Sequence, residues 1–348
     1  MITSSWRGFA SDNYAGAHSE VLQALVAVND GHQAAYGADV VTSRATDMIK
    51  DLFGSHVSFH PVFNGTGANV VALQSVTDRW QSVIASATAH IHADEGGAPE
   101  VMAGIKLWTV PTSDGKLRPE GVQSECFDME FVHRSQPGAV SITQSSEMGT
   151  VYTPDEVAAI AEVAHSHGLA LHMDGARLSN AAASLGIPMR EFTTDAGVDL
   201  VSFGLTKNGA MIAESVVVVN PERVRGIDFL RKTSMQLSSK MRFMSAQYVA
   251  LLTDDLWLSS AAHANTMAQR LASAVRDLPG VVITQSVDAN AVFAILPADV
   301  TAALQERFHF YTWNQETGEV RWMCAWDTTE EDVDAFVAAI SEEFSRRA

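Results

Sequence analysis

Two charged residues stand at the ends of apolar segments in the middle of the chain. Asp174 ends the segment from Leu169 to Met173, and Lys207 follows a second apolar segment, Val198 to Gly204. Such segments are typical of buried strands in a parallel sheet, so each predicts a strand that delivers one charged side chain at its carboxyl end. A lysine amine can hold an aldehyde cofactor as a Schiff base, and a carboxylate can pair with a protonated pyridine nitrogen. The pair therefore indicates the chemistry of pyridoxal 5'-phosphate (PLP).

A threonine between two glycines precedes this pair. Gly65, Thr66 and Gly67 lie where a predicted strand, Val57 to Phe63, leads into a helix. Backbone N–H groups at a helix N-terminus, together with the Thr66 hydroxyl, are suited to binding a phosphate. The segment is not a P-loop, because no Lys follows the second glycine, and it lacks the third glycine of G-x-G-x-x-G. An ordinary tight turn is the alternative when this segment is considered alone.

Each charged residue also has an ordinary structural explanation. Asp174 can cap the helix that begins after it, with Arg177 as a surface ion-pair partner, and Lys207 can be a solvated loop lysine. Taken together, the phosphate-binding segment Gly65 to Gly67 (the phosphate cradle), Asp174 and Lys207 favour a catalytic site over these structural roles. They follow one another along the chain in the order that a PLP enzyme needs. His90 lies between the cradle and Asp174, and its imidazole can stack on a pyridine ring or move a proton near neutral pH. A hydrogen-bonded core histidine is the alternative, and no metal site is predicted, because no Cys or third His lies at zinc spacing.

Helical patterns alternate with short apolar segments over most of the chain, which predicts an α/β domain with a mostly parallel sheet. The predicted helices include Ser19 to Val28, one that opens at Gly67, and one for which Thr153 and Glu156 would form a capping box. The predicted strands are Val57 to Phe63, Ser82 to Ala85, Ala139 to Gln144, Leu169 to Met173, Leu200 to Phe203 and Glu214 to Val219.

After about residue 250 the pattern changes to a smaller α+β arrangement. A helix from Ala261 to Leu278 precedes three short strands, and a final helix runs from Thr329 to about Arg347, with Thr328 to Glu331 as a candidate cap. The three strands are Val281 to Gln285, Ala291 to Leu296 and Val320 to Cys324.

Composition excludes several classes of partner. The 23 Lys and Arg against 41 Asp and Glu give a net charge of −18, and an acidic surface repels nucleic acid and anionic membranes. The sequence shows no secretory signal and no apolar segment long enough to span a bilayer. Its two cysteines, Cys126 and Cys324, exclude a disulfide framework and predict a reduced, cytoplasmic location. The 348 residues are enough for two domains.

Segments over nearly the whole chain resemble the low-specificity L-threonine aldolases, which are PLP enzymes of fold-type I (aspartate aminotransferase-like). The most specific segment is Met173 to Leu178, Met-Asp-Gly-Ala-Arg-Leu, with Lys207 downstream. The other matching segments are Phe9 to Asn13, Asn64 to Gly67, Ala89 to Ile91, Glu95 to Ala98, Thr206 to Gly209 and Lys240 to Phe243.

The resemblance implies a large PLP-binding domain with a mostly parallel seven-stranded sheet flanked by helices, and a smaller C-terminal α+β domain. We place the large domain at residues 21–250 and the small domain at residues 251–348. The N-terminal segment, residues 1–20, would contribute to the active site. The protein would form a homotetramer or homodimer with its active sites between subunits.

The resemblance also implies a role for each residue at a matching position. Lys207 would carry the cofactor as a Schiff base, Asp174 would pair with the pyridine nitrogen, and His90 would stack on the ring. Further cofactor contacts would come from Gly65, Thr66, Gly67, Thr206 and Arg242, the last of them in a neighbouring subunit's site. The residues that would bind the substrate carboxylate are Ser11, Arg177 and Arg321.

The implied activity is cleavage of the Cα–Cβ bond of L-threonine, L-allo-threonine and related β-hydroxy-α-amino acids such as phenylserine. The products would be glycine and an aldehyde, and the reaction would pass through a quinonoid. Some members of the group carry a His after the strand that begins at Ala139, whereas Glu147 stands near that place here. The group that takes the proton from the substrate hydroxyl is therefore open among His90, His133, Glu147 and a bound water.

Two other functional classes stay open at this point. Another fold-type I enzyme, such as a β-eliminating lyase, a racemase or a glycine hydroxymethyltransferase, would break a different bond at the same centre. A non-catalytic protein with the PLP fold would bind a ligand or partner instead. The retention of Asp174, Lys207 and the phosphate cradle argues against this second class.

Overall fold

The computed structural model describes residues 6–346, and a seven-stranded sheet forms its centre. The strands of this sheet are β1 (Ser58–Val62), β2 (Gln81–Ser86), β3 (Lys106–Val110), β4 (Gln136–Thr143), β5 (Ala170–Gly175), β6 (Leu200–Gly204) and β7 (Glu214–Val218). Their order is β1-β7-β6-β5-β4-β2-β3, and β7 runs antiparallel to both of its neighbours while the other adjacent pairs are parallel. The predicted fold class, a mostly parallel sheet of seven strands, is confirmed.

Alternate side chains of these strands enter two different apolar clusters, because successive residues of a strand point to opposite faces. Val140 and Val201 belong to one cluster, whereas their neighbours Ala139 and Leu200 belong to the other. Both faces of the sheet are therefore buried, as expected for a parallel sheet with helical crossovers.

Helices supply the layers that bury the sheet. The helices are α1 (Ser19–Ala27), α2 (Val40–Phe53), α3 (Gly65–Val76), α4 (His90–Ala93), α5 (Pro119–Glu125), α6 (Pro154–Ser166), α7 (Leu178–Leu185), α8 (Ile227–Thr233), α9 (Met241–Leu252), α10 (Leu256–Val275), α11 (Ala298–Gln305) and α12 (Glu330–Ser345). Within residues 6–346, no helix has both the length and the apolar character needed to cross a bilayer.

A second, antiparallel sheet follows in the C-terminal part. Its strands are β8 (Val282–Ile283), β9 (Ala291–Ile295), β10 (Tyr311–Asn314) and β11 (Glu319–Met323), in the order β10-β11-β9-β8. Its apolar cluster includes Trp322 and Phe336, whose rings meet edge to face at 5.2 Å.

The N-terminal segment crosses to this second sheet. The Phe9 N–H donates to the His309 carbonyl, and the Phe9 carbonyl accepts from the Met323 N–H, both at 2.7 Å. The Phe9 ring stacks on Phe336 with centroids 4.6 Å apart. Residues just after Phe9 are thereby held between the small sheet and the carboxyl edge of the large one. The predicted boundary at residue 250 stays a prediction, because α10 places Trp257 in a cluster with the large sheet and Leu271 in the cluster of the small one.

The two strands that the sequence did not predict are edge strands. β3 and β10 each lie at the edge of a sheet, and their side chains are half-buried or exposed, so neither has an apolar run to mark it. The capping box of Thr153 and Glu156 is confirmed. The predicted cap at Thr328 to Glu331 is wrong by one position, because Thr329 caps α12 with Asp332 as its partner. The predicted end of this helix at Arg347 lies outside the described residues.

Phe9→Ala tests whether the N-terminal segment is anchored as described. Phe9 is 1% exposed, so the truncation leaves a cavity in the small core and should cost about 3 to 5 kcal/mol of unfolding free energy. Urea unfolding at a fixed protein concentration measures this change. Phe131→Ala is the matched control: its ring is 51% exposed, and a change within about 0.5 kcal/mol is expected. Equal effects of the two substitutions would contradict the anchoring.

Candidate active site

The carboxyl ends of the parallel strands meet at one edge of the large sheet, next to the N-terminus of α3. Asp174 near the end of β5 lies in register with Thr143 of β4 and Ser202 of β6. A cavity opens at this edge, and the turn Thr206–Asn208 that follows β6 brings Lys207 to its wall. The polar and glycine residues around the cavity include Gly65, Asn69, His90, Glu95, Glu147, Asp174, Arg177 and Lys207.

Asp174 is held as a buried carboxylate. It is 5% exposed, and its oxygens accept from the Asn69 side-chain amide at 2.8 Å and from the Ala176 N–H at 3.0 Å. Burial alone would raise the pKa of Asp174, but the Asn69 hydrogen bond and the charges of His90 and Lys207 outweigh it and bring the pKa below its ordinary value. The carboxylate therefore stays ionised at neutral pH.

His90 and Asp174 share one hydrogen-bond network. The His90 Nδ1–H donates to Glu95 Oε1 at 2.8 Å, and the same oxygen accepts from Asn69 Nδ2 at 2.7 Å. The hydrogen bond to Glu95 raises the pKa of His90 against the opposing effect of burial. Asn69 thus ties the carboxylate of Asp174 to the partner of His90. Sequence reasoning assigned no role to Asn69 or Glu95.

Lys207 is placed for use as a nucleophile. Burial lowers the pKa of its amine, and the nearby Arg177 lowers it further, while Asp12, Asp174 and Glu214 act in the opposite direction. A lowered pKa leaves more of the amine neutral, which is the form that attacks an aldehyde.

The predicted phosphate cradle begins α3. Asn64 caps this helix by accepting from the Gly67 N–H at 2.7 Å, so the first-turn N–H groups of Gly65 and Thr66 are those without a partner in their own helix. A Cβ placed on Gly65 would meet only a Glu214 oxygen, 3.9 Å away, so the space in front of this turn is open. A Cβ on Gly67 would overlap the end of the Gln236 side chain, which would have to move to make room for it. The predicted contact of Gly67 with a phosphate lacks geometric support, because its N–H is used by Asn64.

Of the three residues predicted to bind the substrate carboxylate, Arg177 is already held by an acidic neighbour. Arg177 gives its fork to Asp12, with Nε to Oδ2 at 2.7 Å and Nη2 to Oδ1 at 3.0 Å, so Nη1 is the nitrogen left for a ligand. Arg321 on β11 lies over the Trp313 ring, and its buried Nε has no partner among the described residues. Burial lowers the pKa of Arg321 to about 10, and the charge of Arg177 adds to this effect. The Ser11 hydroxyl accepts from the Asn13 N–H, and Ser11 does not line this cavity, so its predicted contact stays a prediction.

Two of the candidate acceptors for the hydroxyl proton, Glu147 and His133, lie at different places in the fold. Glu147 lines the cavity, accepts from the His90 backbone N–H at 2.9 Å through Oε1, and buries Oε2 without a partner among the described residues. Burial raises the pKa of Glu147 to about 7. His133 is exposed in the loop before β4, at the opposite edge of the sheet, and packs on Phe131. This chain therefore does not bring His133 to its own cavity.

Thr206 and Arg242 are two further predicted cofactor contacts, and neither lines the cavity. The Thr206 hydroxyl accepts from the Ala213 N–H at 3.2 Å beside Lys207. Arg242 lies outside the cavity of its own chain, and its guanidinium donates to the Gly31 carbonyl at 3.2 Å. Among the residues that the structure describes, no group of three or more His, Cys, Asp or Glu is placed to hold a metal ion.

Comparison with known proteins agrees with this geometry. The family model described as beta-eliminating lyase matches residues 8–299. The chain belongs to the beta-eliminating lyase family. It is 43% identical to the low specificity L-threonine aldolase of a Pseudomonas species, over 97% of this chain and 98% of that protein. The protein of the same name from Pseudomonas aeruginosa is also 43% identical, over 95% and 96% of the two chains.

Comparison with solved structures shows that this member of the beta-eliminating lyase family has the fold of a threonine aldolase. The threonine aldolase of Leishmania major superposes with a TM-score of 0.91 at 29% identity, covering 96% of this chain and 98% of that one. The resemblance to the threonine aldolases, the lyase class and the PLP cofactor that the sequence predicted are confirmed.

The residues present fit PLP. Lys207 offers an amine for the aldehyde and Asp174 an ionised carboxylate for the pyridine nitrogen, on walls of the same cavity. The open first turn of α3 at Gly65 and Thr66 offers unpaired N–H groups for the phosphate. His90 lines the same cavity, with Nδ1 fixed by Glu95.

Proposed function

We propose that the protein is a PLP-dependent aldolase that cleaves the Cα–Cβ bond of L-threonine to give glycine and acetaldehyde. The observation that carries this proposal is the meeting of Lys207, Asp174 and His90 at one cavity, in a chain 43% identical to low specificity L-threonine aldolases. When bound, PLP supplies an electron sink for the negative charge left at Cα. L-allo-Threonine and phenylserine are proposed as further substrates, because the relatives are named for low specificity.

In this proposal each residue around the cavity has a separate task. Lys207 binds the cofactor aldehyde and releases it to the substrate amine. Asp174 keeps the pyridine nitrogen protonated, since its own pKa is depressed. His90 packs on the ring, with its orientation fixed by the hydrogen bond to Glu95. Gly65, Thr66 and Thr206 bind the phosphate, and Arg242 serves the site of a neighbouring subunit.

The substrate carboxylate is proposed to bind between Arg177 and Arg321. Asp12 orients Arg177 so that Nη1 stays available, and the unpaired Nε of Arg321 supplies a second donor. A carboxylate fixed at two points restricts rotation at Cα, and this restriction selects the bond that breaks.

The proton of the substrate hydroxyl is proposed to pass to Glu147. Its Oε2 is buried beside His90 without a partner, and the pKa of about 7 allows the carboxyl to take up and return a proton near neutral pH. The His90 imidazole is the less suitable acceptor, because its raised pKa favours the charged form.

A homodimer or homotetramer is proposed from the position of Arg242 outside the cavity of its own chain. A cytoplasmic location is proposed because Cys126 and Cys324 are both free thiols.

Product analysis with L-threonine tests the proposed reaction. The holoenzyme should release acetaldehyde and glycine in equal amounts, whereas a β-eliminating reaction would release 2-oxobutanoate and ammonia. Borohydride reduction should fix the cofactor to the peptide that contains Lys207 in the wild type and leave Lys207→Ala unlabelled. The second pair of products, or cofactor fixed elsewhere in the wild type, would contradict the proposal.

Glu147→Gln tests the proton acceptor. In the wild type, kcat/KM for L-threonine should fall about tenfold per pH unit below pH 7, because the carboxyl becomes protonated there. The variant should lose about a hundredfold or more in kcat and lack this acidic limb. Borohydride labelling of Lys207 is the control for intact cofactor binding. An unchanged limb in the variant would assign the proton to another group.

A further inference from the structure

Glu214 is a buried carboxyl group that the proposed reaction does not use. It opens β7, is 8% exposed, and lies in register with Gly204 of β6 and Val62 of β1. Because β7 runs against its neighbours, its first residue reaches the same sheet edge as the carboxyl ends of β5 and β6. Glu214 is therefore at the edge where the cradle and Lys207 meet.

The carboxyl of Glu214 lies between the phosphate cradle and the lysine turn. It packs over Gly204 so closely that a Cβ there would overlap it. Its Oε2 is 3.9 Å from the position of a Cβ on Gly65, the first residue of the cradle. On the other side lies Thr206, the residue before Lys207, which acts to lower the pKa of the same carboxyl.

The charges around Glu214 make its ionisation sensitive to a further anion. The titratable groups that act on it include Lys207, Asp174 and Tyr248. Burial raises the pKa of Glu214 to about 7, Lys207 acts to lower it, and Asp174 acts to raise it. A phosphate group, which is close to a dianion above about pH 6, would add negative charge beside Oε2. Like charges held close together in a buried site favour protonation of one of them.

We propose that Glu214 is a cofactor-binding residue whose carboxyl is protonated when a phosphate occupies the cradle, so that binding of the phosphorylated cofactor takes up one proton. The inference rests on the proposed function in taking Gly65 and Thr66 as the phosphate site. The proton comes from solvent and stays on the carboxyl or in its hydrogen bond to the phosphate, and no covalent bond changes.

The test compares two ligands that differ in the phosphate. Dissociation constants of PLP and of pyridoxal, which lacks the phosphate, are measured by tryptophan fluorescence between about pH 6 and pH 9 for the wild type and Glu214→Gln. Above pH 7, each pH unit should weaken PLP binding to the wild type about tenfold more than it weakens PLP binding to the variant. The reason is that each binding event in the wild type takes up one more proton. Pyridoxal should show a clearly smaller difference between the two proteins, because that difference reports only the effect of Glu214 on the pKa of Lys207.

Glu319→Gln is the matched control, since Glu319 is another buried acidic residue, in the small sheet, and does not line the cavity. Its PLP profile should follow the wild type. Equal PLP slopes for the wild type and Glu214→Gln would overturn the inference, because they mean that Glu214 stays ionised beside the phosphate.

If the variant does not fold, calorimetry of the wild type in two buffers of different ionisation enthalpy counts the protons directly. PLP should then take up one proton more than pyridoxal at about pH 8, and equal counts would overturn the inference.

The outcome is distinguishable from failure of the proposed function. Proton-linked PLP binding without acetaldehyde from L-threonine would leave the role of Glu214 standing and remove the aldolase. Acetaldehyde release together with the same pH dependence of PLP affinity in the wild type and Glu214→Gln would support the aldolase and remove the role of Glu214.

Discussion

The burial of Asp174 as an ion is the constraint on which the rest of the site depends. A carboxylate removed from water is costly unless hydrogen bonds and opposite charges replace its hydration. Here the Asn69 amide and the Ala176 N–H bind its two oxygens, and His90 and Lys207 supply positive charge. Because Asn69 also donates to the partner of His90, the network that keeps Asp174 ionised also fixes the imidazole. Structure and chemistry at this edge therefore share the same few hydrogen bonds.

The other charged side chains of the site differ in whether an oppositely charged partner offsets the cost of their burial. Asp12 and Arg177 form a forked ion pair, in which each compensates the burial of the other. Glu147 and Glu214 have no such partner, and burial raises the pKa of each to about 7. The site thus contains two carboxyl groups that exchange protons near neutral pH, one beside His90 and one beside the phosphate cradle. We connect the first with the reacting hydroxyl and the second with binding of the cofactor.

The sequence predicted those parts of the fold and of the site that a short, continuous stretch of residues marks. It did not predict contacts between single residues that are far apart in the chain. The strands that deliver Asp174 and Lys207 are buried on both faces, so their apolar runs could be recognised, and the cradle has its own short pattern. Asn69 and Glu95 had no such signal: each is a single polar residue, and the hydrogen bond between them joins positions 26 residues apart. Asp12 meets Arg177 across 165 residues, which only the folded N-terminal segment reveals. His133 was a candidate on residue type alone, and the direction of β4 places it at the opposite edge of the sheet.

Turnover of Asp174→Asn is the most direct measurement of the central claim, that a buried anion at this position drives the chemistry. Asparagine keeps the size and can still accept a hydrogen bond, but it cannot hold a protonated pyridine nitrogen. The account predicts that the variant still links the cofactor covalently to Lys207, detected after borohydride reduction, while kcat for L-threonine falls about a hundredfold or more. A variant that links the cofactor and turns over threonine at close to the wild-type rate would contradict it.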